Sequence, residues 1–432
     1  MTKKNETTKA AKLPKGDTKW FIHDRFGMFI HWGIYALAAR GEWMKSHEKT
    51  TTEAYQKYFD HFSPDLYDPK AWARAAKMAG MKYFVITTKP HDGFCLWDSK
   101  YTDYKATNTP CGKDLITPMV NAFRAEGIKV GLYYSLIDWH HPEFPVDKYH
   151  PQRDDKAFRE QEKNRDVRKY AAYMYNQVQE LMKLYHPDIL WCDFSYPGED
   201  GKGRADWQSE KLLGMIRKIC PKIIVDNRLD MPPETDDFVT PEQYQPAQWP
   251  TDGKGNRLPW EACQTFSGAW GYHRDELSWK SVKQLLWMLV DSVSKGGNLL
   301  LNVGPTARGK FDYRAMERLE GLGRWMEFNA GSIYGCTASE FTPPPDCRYT
   351  QNGKRLYLHF MDWPFGGAYL NGLAGKVDYI QFLHDASEIK FTDNAKGPWG
   401  QAYGAPKDGT CFLDLPVVRP NVEIPVVEIF LK

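Results

Sequence analysis

Asp188-Ile189-Leu190-Trp191-Cys192-Asp193-Phe194 is an apolar run that stops on an acid set between aromatic residues. A short continuous apolar run marks a strand buried on both faces, the kind that parallel sheets contain. Asp193 then stands at the C-terminal edge of its strand, where a barrel enzyme holds a carboxylate in a fixed position. An isolated strand-end Asp more often caps a turn or pairs with a Lys. Its meaning therefore depends on what the neighbouring strands deliver.

On either side of this run, helical stretches alternate with strand-like ones. The pattern predicts a helix from about Asn164 to Leu184 that feeds the Asp193 strand. Upstream, Met28-Phe29-Ile30-His31-Trp32 is the first strand-like run, and the helical stretch Pro69 to Ala79, stopped by Gly80, leads into Tyr83-Phe84-Val85-Ile86-Thr87-Thr88-Lys89-Pro90-His91. Leu115 to Glu126, stopped by Gly127, leads into Val130-Gly131-Leu132-Tyr133-Tyr134-Ser135. Downstream, Ser209 to Lys218 precedes Ile223-Ile224-Val225-Asp226-Asn227-Arg228, and Ser281 to Val293 leads through Gly296-Gly297 to Asn298-Leu299-Leu300-Leu301-Asn302-Val303-Gly304-Pro305. Repeated βα alternation implies an α/β fold with a parallel sheet, and closure into a (β/α)8-like, TIM-type barrel is the economical form at this length. A doubly wound sheet is the runner-up. It needs a Gly-rich phosphate loop after the first strand, which Phe26-Gly27-Met28-Phe29 does not supply.

Past Tyr334 the pattern changes. Pro343-Pro344-Pro345 is followed by short strand-like runs at Arg355 to Phe360, Val377 to Leu383 and Val422 to Phe430, separated by Gly and Pro turns. These predict a small antiparallel β-sandwich. The expected organisation is a disordered N-terminal tail over residues 1–15, a catalytic barrel over residues 16–337 and a C-terminal β-sandwich over residues 338–432.

With 432 residues and 42% hydrophobic content, the chain exceeds the ~250–300 residues at which single cores stop growing. Lys+Arg at 57 against Asp+Glu at 55 leaves a net charge of +2, which offers no electrostatic footprint for nucleic acid or an anionic membrane. Sixteen Trp and 24 Tyr supply aromatic faces that suit the apolar sides of sugar rings, although most serve the core. The eight cysteines form no Cys-x-x-Cys pair and sit mostly in apolar contexts, so free thiols are expected rather than disulfides or zinc. The polar start Met1-Thr2-Lys3-Lys4-Asn5-Glu6-Thr7-Thr8-Lys9 has no apolar segment behind it. That predicts neither signal peptide nor membrane anchor, hence a cytoplasmic protein or one exported before losing its leader.

In chain order the strand ends deliver His31-Trp32, His91-Asp92, Tyr134 with Trp139-His140-His141, Trp191 with Asp193, Asn227-Arg228, and Asn302. In a barrel all of these project to the face that carries chemistry. One polar strand end is ordinary, whereas six that converge make a site. Imidazoles, indoles, a guanidinium and carboxylates, with no Ser-centred elbow and no phosphate cradle, suit hydroxyl recognition and carboxylate catalysis better than acyl or phosphoryl transfer. His140-His141 lack a third ligand at helical spacing, so neither a metal site nor a cofactor is expected.

The stretch Trp20-Phe21-Ile22-His23-Asp24-Arg25-Phe26-Gly27-Met28-Phe29-Ile30-His31-Trp32-Gly33, followed by Gly41-Glu42-Trp43, His91-Asp92-Gly93-Phe94, Gly131-Leu132-Tyr133-Tyr134-Ser135, Trp191-Cys192-Asp193 and the run from Gly297 to Pro305, closely resembles the α-L-fucosidases of glycoside hydrolase family 29. The likeness runs from about residue 20 to residue 335, with the C-terminal sandwich matching in kind. It implies a somewhat irregular barrel followed by a β-sandwich, and retaining, metal-free exo-hydrolysis at the non-reducing ends of oligosaccharides or glycans. Through its Trp-x-Asp setting Asp193 matches the nucleophile. Two residues compete for the acid/base. Glu242, in Asp237-Phe238-Val239-Thr240-Pro241-Glu242, is the first choice because its segment resembles the one that supplies this acid in many family members. Glu261, in Pro259-Trp260-Glu261-Ala262-Cys263, is the rival because the Trp-Glu pair also recurs in the family. The plain alternative for each is a solvated loop acid, or for Glu261 a partner that supports the site from behind.

The same pattern assigns His31, Glu42, Trp43, His91, Tyr134, Trp191 and Arg228 to hydroxyl contacts and ring stacking. Imidazole and guanidinium donors suit vicinal hydroxyls, and indole faces suit the C–H side of a pyranose. Trp270 and Tyr272 either line the entrance or pack behind it. One departure stands out: where fucosidases usually read Lys-His-His-Asp-Gly-Phe, this chain reads Lys89-Pro90-His91-Asp92-Gly93-Phe94. Losing a donor buried against a sugar hydroxyl costs roughly 1–3 kcal/mol unless another group takes over. The expectation from Pro90 is weak action on ordinary fucosides or a different glycon. L-Galactose, which is fucose with a hydroxyl on C6, makes an exo-α-L-galactosidase of algal galactan ends the nearest alternative. A catalytically silent carbohydrate-binding relative is the alternative of another class, although such a binder has no need of a carboxylate pair. An oligomer is compatible with the sequence.

Overall fold

The apolar runs of the first part of the chain become seven strands of one parallel sheet: β1 (Phe26–Ile30), β2 (Tyr83–Lys89), β3 (Lys129–Ser135), β4 (Ile189–Asp193), β5 (Ile224–Val225), β6 (Glu261–Thr265) and β7 (Asn298–Val303). The computed structural model describes residues 15–198, 200–394 and 409–432. Its sheet order is β5-β4-β3-β2-β1-β7-β6, and β1 sits between β2 and β7. The two outermost strands, β5 and β6, are joined through residues 238–242. Parallel bridges link Asp226 to Phe238, Val239 to Trp260 and Glu242 to Cys263. The Glu261 N–H donates to the Val239 carbonyl at 2.9 Å and the Cys263 N–H to the Pro241 carbonyl at 3.1 Å. This segment is the eighth position of the ring and closes the (β/α)8-like barrel. It is irregular because Pro241 has no N–H to give to a ladder.

The helices between strands begin and end where the sequence provides caps. Pro69–Met78 starts on Asp68, whose carboxylate accepts from the Lys70 and Ala71 N–H groups at 2.9 and 3.0 Å. Val167–Tyr185 starts on Asp166, and Val282–Ser294 starts on a capping box between Ser281 and Gln284. The N-terminal tail expected over residues 1–15 lies outside the described residues except for Lys15, whose ammonium donates to the Asp236 carbonyl at 2.8 Å.

Side chains alternate along every barrel strand. Phe29, Tyr83, Val85, Tyr133, Ile189, Trp191, Ile224, Phe238, Cys263 and Leu300 point inward and form one cluster with Phe21. Met28, Ile30, Phe84, Leu132, Tyr134, Leu190, Leu299 and Leu301 point outward and pack in the larger cluster under the helices. Gly27 faces Tyr83 across the β1–β2 pair, and a Cβ built on Gly27 would overlap the Tyr83 ring.

Among the described residues, seven further strands make two antiparallel sheets. One contains Val377–Phe382, Val426–Leu431, Arg355–Phe360 and Cys347–Asn352; the other contains Gly367–Asn371, Thr410–Asp414 and Phe391–Asp393. They enclose their own apolar cluster around Leu358, Leu370, Ile380, Leu413 and Ile429. Ties to the barrel helices include Trp325 Nε1 to the Ile424 carbonyl at 2.9 Å and Arg348 to the buried Asp291 at 2.7 Å. Among the described residues, no helix is long and apolar enough to cross a membrane.

Because the overlap at Gly27 falls on a ring wedged inside the closed barrel, Gly27→Ala is expected to destabilise the protein by about 1–3 kcal/mol. Urea unfolding measures this, and an unchanged midpoint would count against the packing described.

Candidate active site

The C-terminal ends of the barrel strands surround a narrow pocket walled by side chains from β1, β3, β4 and β6 and from the loops that follow the strands. Asp193 closes β4 on the same inward parity as Ile189 and Trp191. Its Oδ2 accepts from the Tyr133 hydroxyl at 2.9 Å, and its Oδ1 accepts from Arg228 Nη1 at 2.8 Å and from the Phe194 N–H at 3.0 Å. Phe194 itself takes φ +71°, a left-handed conformation that costs a bulky residue energy and recurs at working sites. That turn sets the Phe194 ring edge-on to Trp43 and His91, with centroids at 5.3 and 5.5 Å.

Arg228 stands on the short helical turn Asn227–Leu229 after β5, a turn that Asp226 caps. Its guanidinium donates through Nε to Thr240 Oγ1 at 2.9 Å, pairs through Nη1 with Asp193 and pairs through Nη2 with Glu242 Oε2 at 2.8 Å. The same group lies over the Trp191 ring at 4.4 Å. Burial opposes its charge, yet Asp193 and Glu242 hold its pKa above the ordinary range. Glu242 ends the closing segment at the pocket mouth, and at 43% side-chain exposure it is far more open than Asp193 at 15%.

The remaining walls carry neutral imidazoles. His31 Nδ1 bonds Asn302 Oδ1 at 2.6 Å, and Asn302 Nδ2 donates to the Trp270 carbonyl at 2.6 Å. Asn302 thereby presents its oxygen to His31 and fixes Nδ1 as the protonated nitrogen. His91 Nε2 donates to the Glu42 carbonyl at 3.1 Å, and the ring stacks on Trp43 at 4.7 Å. Burial pushes both histidines down to about 3. The Glu42 carboxyl accepts the Gly271 N–H at 2.6 Å and is pushed up by burial.

The pocket brings together His31, Glu42, Trp43, His91, Trp191, Asp193, Arg228 and Glu242 from among the residues singled out in the sequence, and Trp270 as well. Tyr134 is a correction. It points outward, and its hydroxyl donates to Gln177 at 2.8 Å; Tyr133 faces the pocket instead. Neighbouring residues of a strand face opposite sides, so a one-residue difference exchanges core for site. Trp32 likewise turns outward, packing against Tyr67 and Trp72. Pro90 is buried and lies outside the pocket wall. Tyr272 is also absent from the wall. His140 stacks on Tyr104 at 3.7 Å, and among the described residues no group of three or more His, Cys, Asp or Glu is arranged to hold a metal.

Glu261 lies below the pocket rather than on its wall. It opens β6 on the inward side and is fully buried, accepting Tyr83 Oη at 2.5 Å and Trp191 Nε1 at 3.3 Å. Burial raises its carboxyl to about 7. Phe29, Phe194 and Cys263 complete the wall. They were missed because they read as core apolar residues in the strands and loop that carry the motifs.

A sequence profile described as alpha-L-fucosidase matches residues 1–331. Human plasma alpha-L-fucosidase is 28% identical over 396 residues, which cover 84% of this chain and 79% of that protein. The structure of alpha-L-fucosidase isoenzyme 1 from Paenibacillus thiaminolyticus is 46% identical and superposes with a TM-score of 0.90 over 96% of this chain and 98% of that one. A GH29 alpha-L-fucosidase from Bacteroides thetaiotaomicron, solved as a covalent intermediate trapped with 2-fluoro-fucosyl fluoride in a glutamate-to-glutamine mutant, is 26% identical with a TM-score of 0.83 over 97% and 98% of the two chains. A profile covering most of the chain and a barrel-plus-sandwich fold shared almost end to end agree with the carboxylates at the barrel mouth: this chain belongs to the alpha-L-fucosidase family of glycoside hydrolases.

Proposed function

We propose that the protein releases terminal α-L-fucose from glycan ends by double displacement, with Asp193 as nucleophile and Glu242 as acid/base. The observation that carries this reading is the pairing of both carboxylates with one guanidinium in a pocket walled by imidazoles and indoles. Retention asks for two neighbouring carboxyls, and Asp193 and Glu242 each lie 2.8 Å from a terminal nitrogen of the same guanidinium. In the first step Asp193 attacks the anomeric carbon while Glu242 gives its proton to the departing glycosidic oxygen. The bond to the aglycone breaks and a glycosyl ester on Asp193 forms. In the second step Glu242 takes a proton from water, the water oxygen attacks the same carbon, and the carboxylate of Asp193 leaves. Tyr133 and the Phe194 N–H hold the attacking carboxylate in line. Neutral His31 and His91, with Glu42, supply hydroxyl partners, and Trp43 and Trp270 supply ring faces, while the Trp191 face carries Arg228.

The relatives quoted are named as fucosidases, and the covalent intermediate trapped in the Bacteroides relative supports the two-step course. The L-galactoside reading loses its footing, since Pro90 has no place on the wall from which to select the glycon.

With an aryl α-L-fucoside as substrate, Asp193→Ala is expected to lose on the order of a thousandfold or more in kcat. Glu242→Ala is expected to lose about a hundred- to ten-thousandfold on substrates with poor leaving groups. On a fucoside with an activated leaving group, added azide should restore turnover of Glu242→Ala with an α-configured glycosyl azide as product; a β-configured product or no rescue counts against the acid/base role. Binding without turnover by the unaltered protein would favour the silent binder. Tyr133→Phe removes a hydrogen bond to a charged group, about 1.5–3 kcal/mol, so kcat/KM should fall roughly ten- to a hundredfold while Tyr134→Phe stays near wild type. Equal effects of the two changes would overturn the inward assignment of Tyr133.

A further inference from the structure

Glu261 takes no part in either displacement step, yet it is an ionisable group sealed inside the barrel directly beneath the pocket. A buried carboxyl is costly unless each oxygen has a partner, and here each has one. Oε2 accepts from Tyr83 Oη at 2.5 Å and Oε1 accepts from Trp191 Nε1 at 3.3 Å. Tyr83 is held in turn. Asn298 Nδ2 donates to its hydroxyl at 3.2 Å, and the missing side chain of Gly27 makes room for its ring. The lower end of the chain of contacts is thus clamped.

Its upper end reaches the reacting groups. The Trp191 ring carries the Arg228 guanidinium at 4.4 Å, and that guanidinium holds Asp193 and Glu242 at 2.8 Å each. A tilt of the indole would move the guanidinium, and with it the spacing of both carboxylates. We infer that Glu261 is a positioning residue that fixes the nucleophile and the acid/base through Trp191 and Arg228. This rests on the assignment of Asp193 and Glu242 as the reacting pair. An apolar residue could fill the same volume but would leave the Trp191 N–H unpartnered in a dry interior, where it would seek an acceptor by shifting the ring. Raising of its carboxyl to about 7 agrees with a site where acceptor geometry, rather than permanent charge, is what the fold maintains.

The test compares Glu261→Met, which keeps the volume and removes both acceptors, with Glu261→Gln, which keeps one acceptor oxygen for Trp191, on an aryl α-L-fucoside. Glu261→Met is expected to lower kcat at least tenfold with KM changed less than about threefold, and Glu261→Gln to recover kcat to within about threefold of wild type. Trp191→Phe should also lower kcat, and the double variant Glu261→Met with Trp191→Phe should fall no further than the worse single change, because both cut the same path. Losses that multiply, or a wild-type kcat in Glu261→Met, overturn the inference. If Glu261→Met does not fold, Trp191→Phe alone must lower kcat at least tenfold; wild-type kcat there overturns it equally. Azide separates this inference from the assignment beneath it. Rescue of Glu261→Met would make Glu261 the acid/base and overturn both, whereas failure to rescue Glu242→Ala beside intact Glu261–Trp191 coupling would overturn only the role of Glu242.

Discussion

The site depends on one cation shared by two acids. Arg228 pairs with Asp193 from the end of β4 and with Glu242 from the segment that follows β5, while standing on the turn between them. Two carboxylates brought together in a half-buried cleft repel each other unless a positive charge is fixed between them. The guanidinium fork can hold one on each terminal nitrogen and still lay its plane on an indole. The requirement reaches into the fold. Glu242 arrives there only because residues 238–242 run between β5 and β6 and close the ring.

Below that cation the barrel interior is layered. Trp191 supports Arg228, Glu261 and Tyr83 support Trp191, and Gly27 leaves the space that the Tyr83 ring occupies. A TIM-type interior is usually filled by branched apolar side chains. Here a carboxyl, a phenol and an amide replace part of that filling, and their hydrogen bonds fix orientation where dispersion contacts would fix only distance. The histidines of the wall follow a related logic. With burial holding His31 and His91 neutral, each imidazole spends its one N–H inside the protein, on Asn302 and on the Glu42 carbonyl, and keeps its other nitrogen as an acceptor for a hydroxyl O–H.

Much of this was readable from residue order. The helical stretches expected from Pro69, from about Asn164 and from Ser281 begin at Pro69, Val167 and Val282, and the apolar runs ending in His31, His91, Asp193 and Arg228 supplied much of the pocket wall. Glu242 was reached only through resemblance, since Thr240-Pro241-Glu242 carries no strand pattern, and Glu261 could not be separated from it. Nothing local says that one acid meets the cleft and the other lies beneath the floor.

The sequence by itself determined the alternation of helices and strands, the parallel barrel with its sandwich, and the kinds of side chain gathered at the strand ends. Those features follow from hydrophobic runs and caps, which are local. Tertiary structure decided which member of each adjacent pair faces inward, Tyr133 rather than Tyr134, and which glutamate shares Arg228 with Asp193. The physical reason is that a strand buried on both faces has no polar side to reveal its parity. The path of an irregular, proline-bearing segment is likewise set by the strands it must join, not by its own residues.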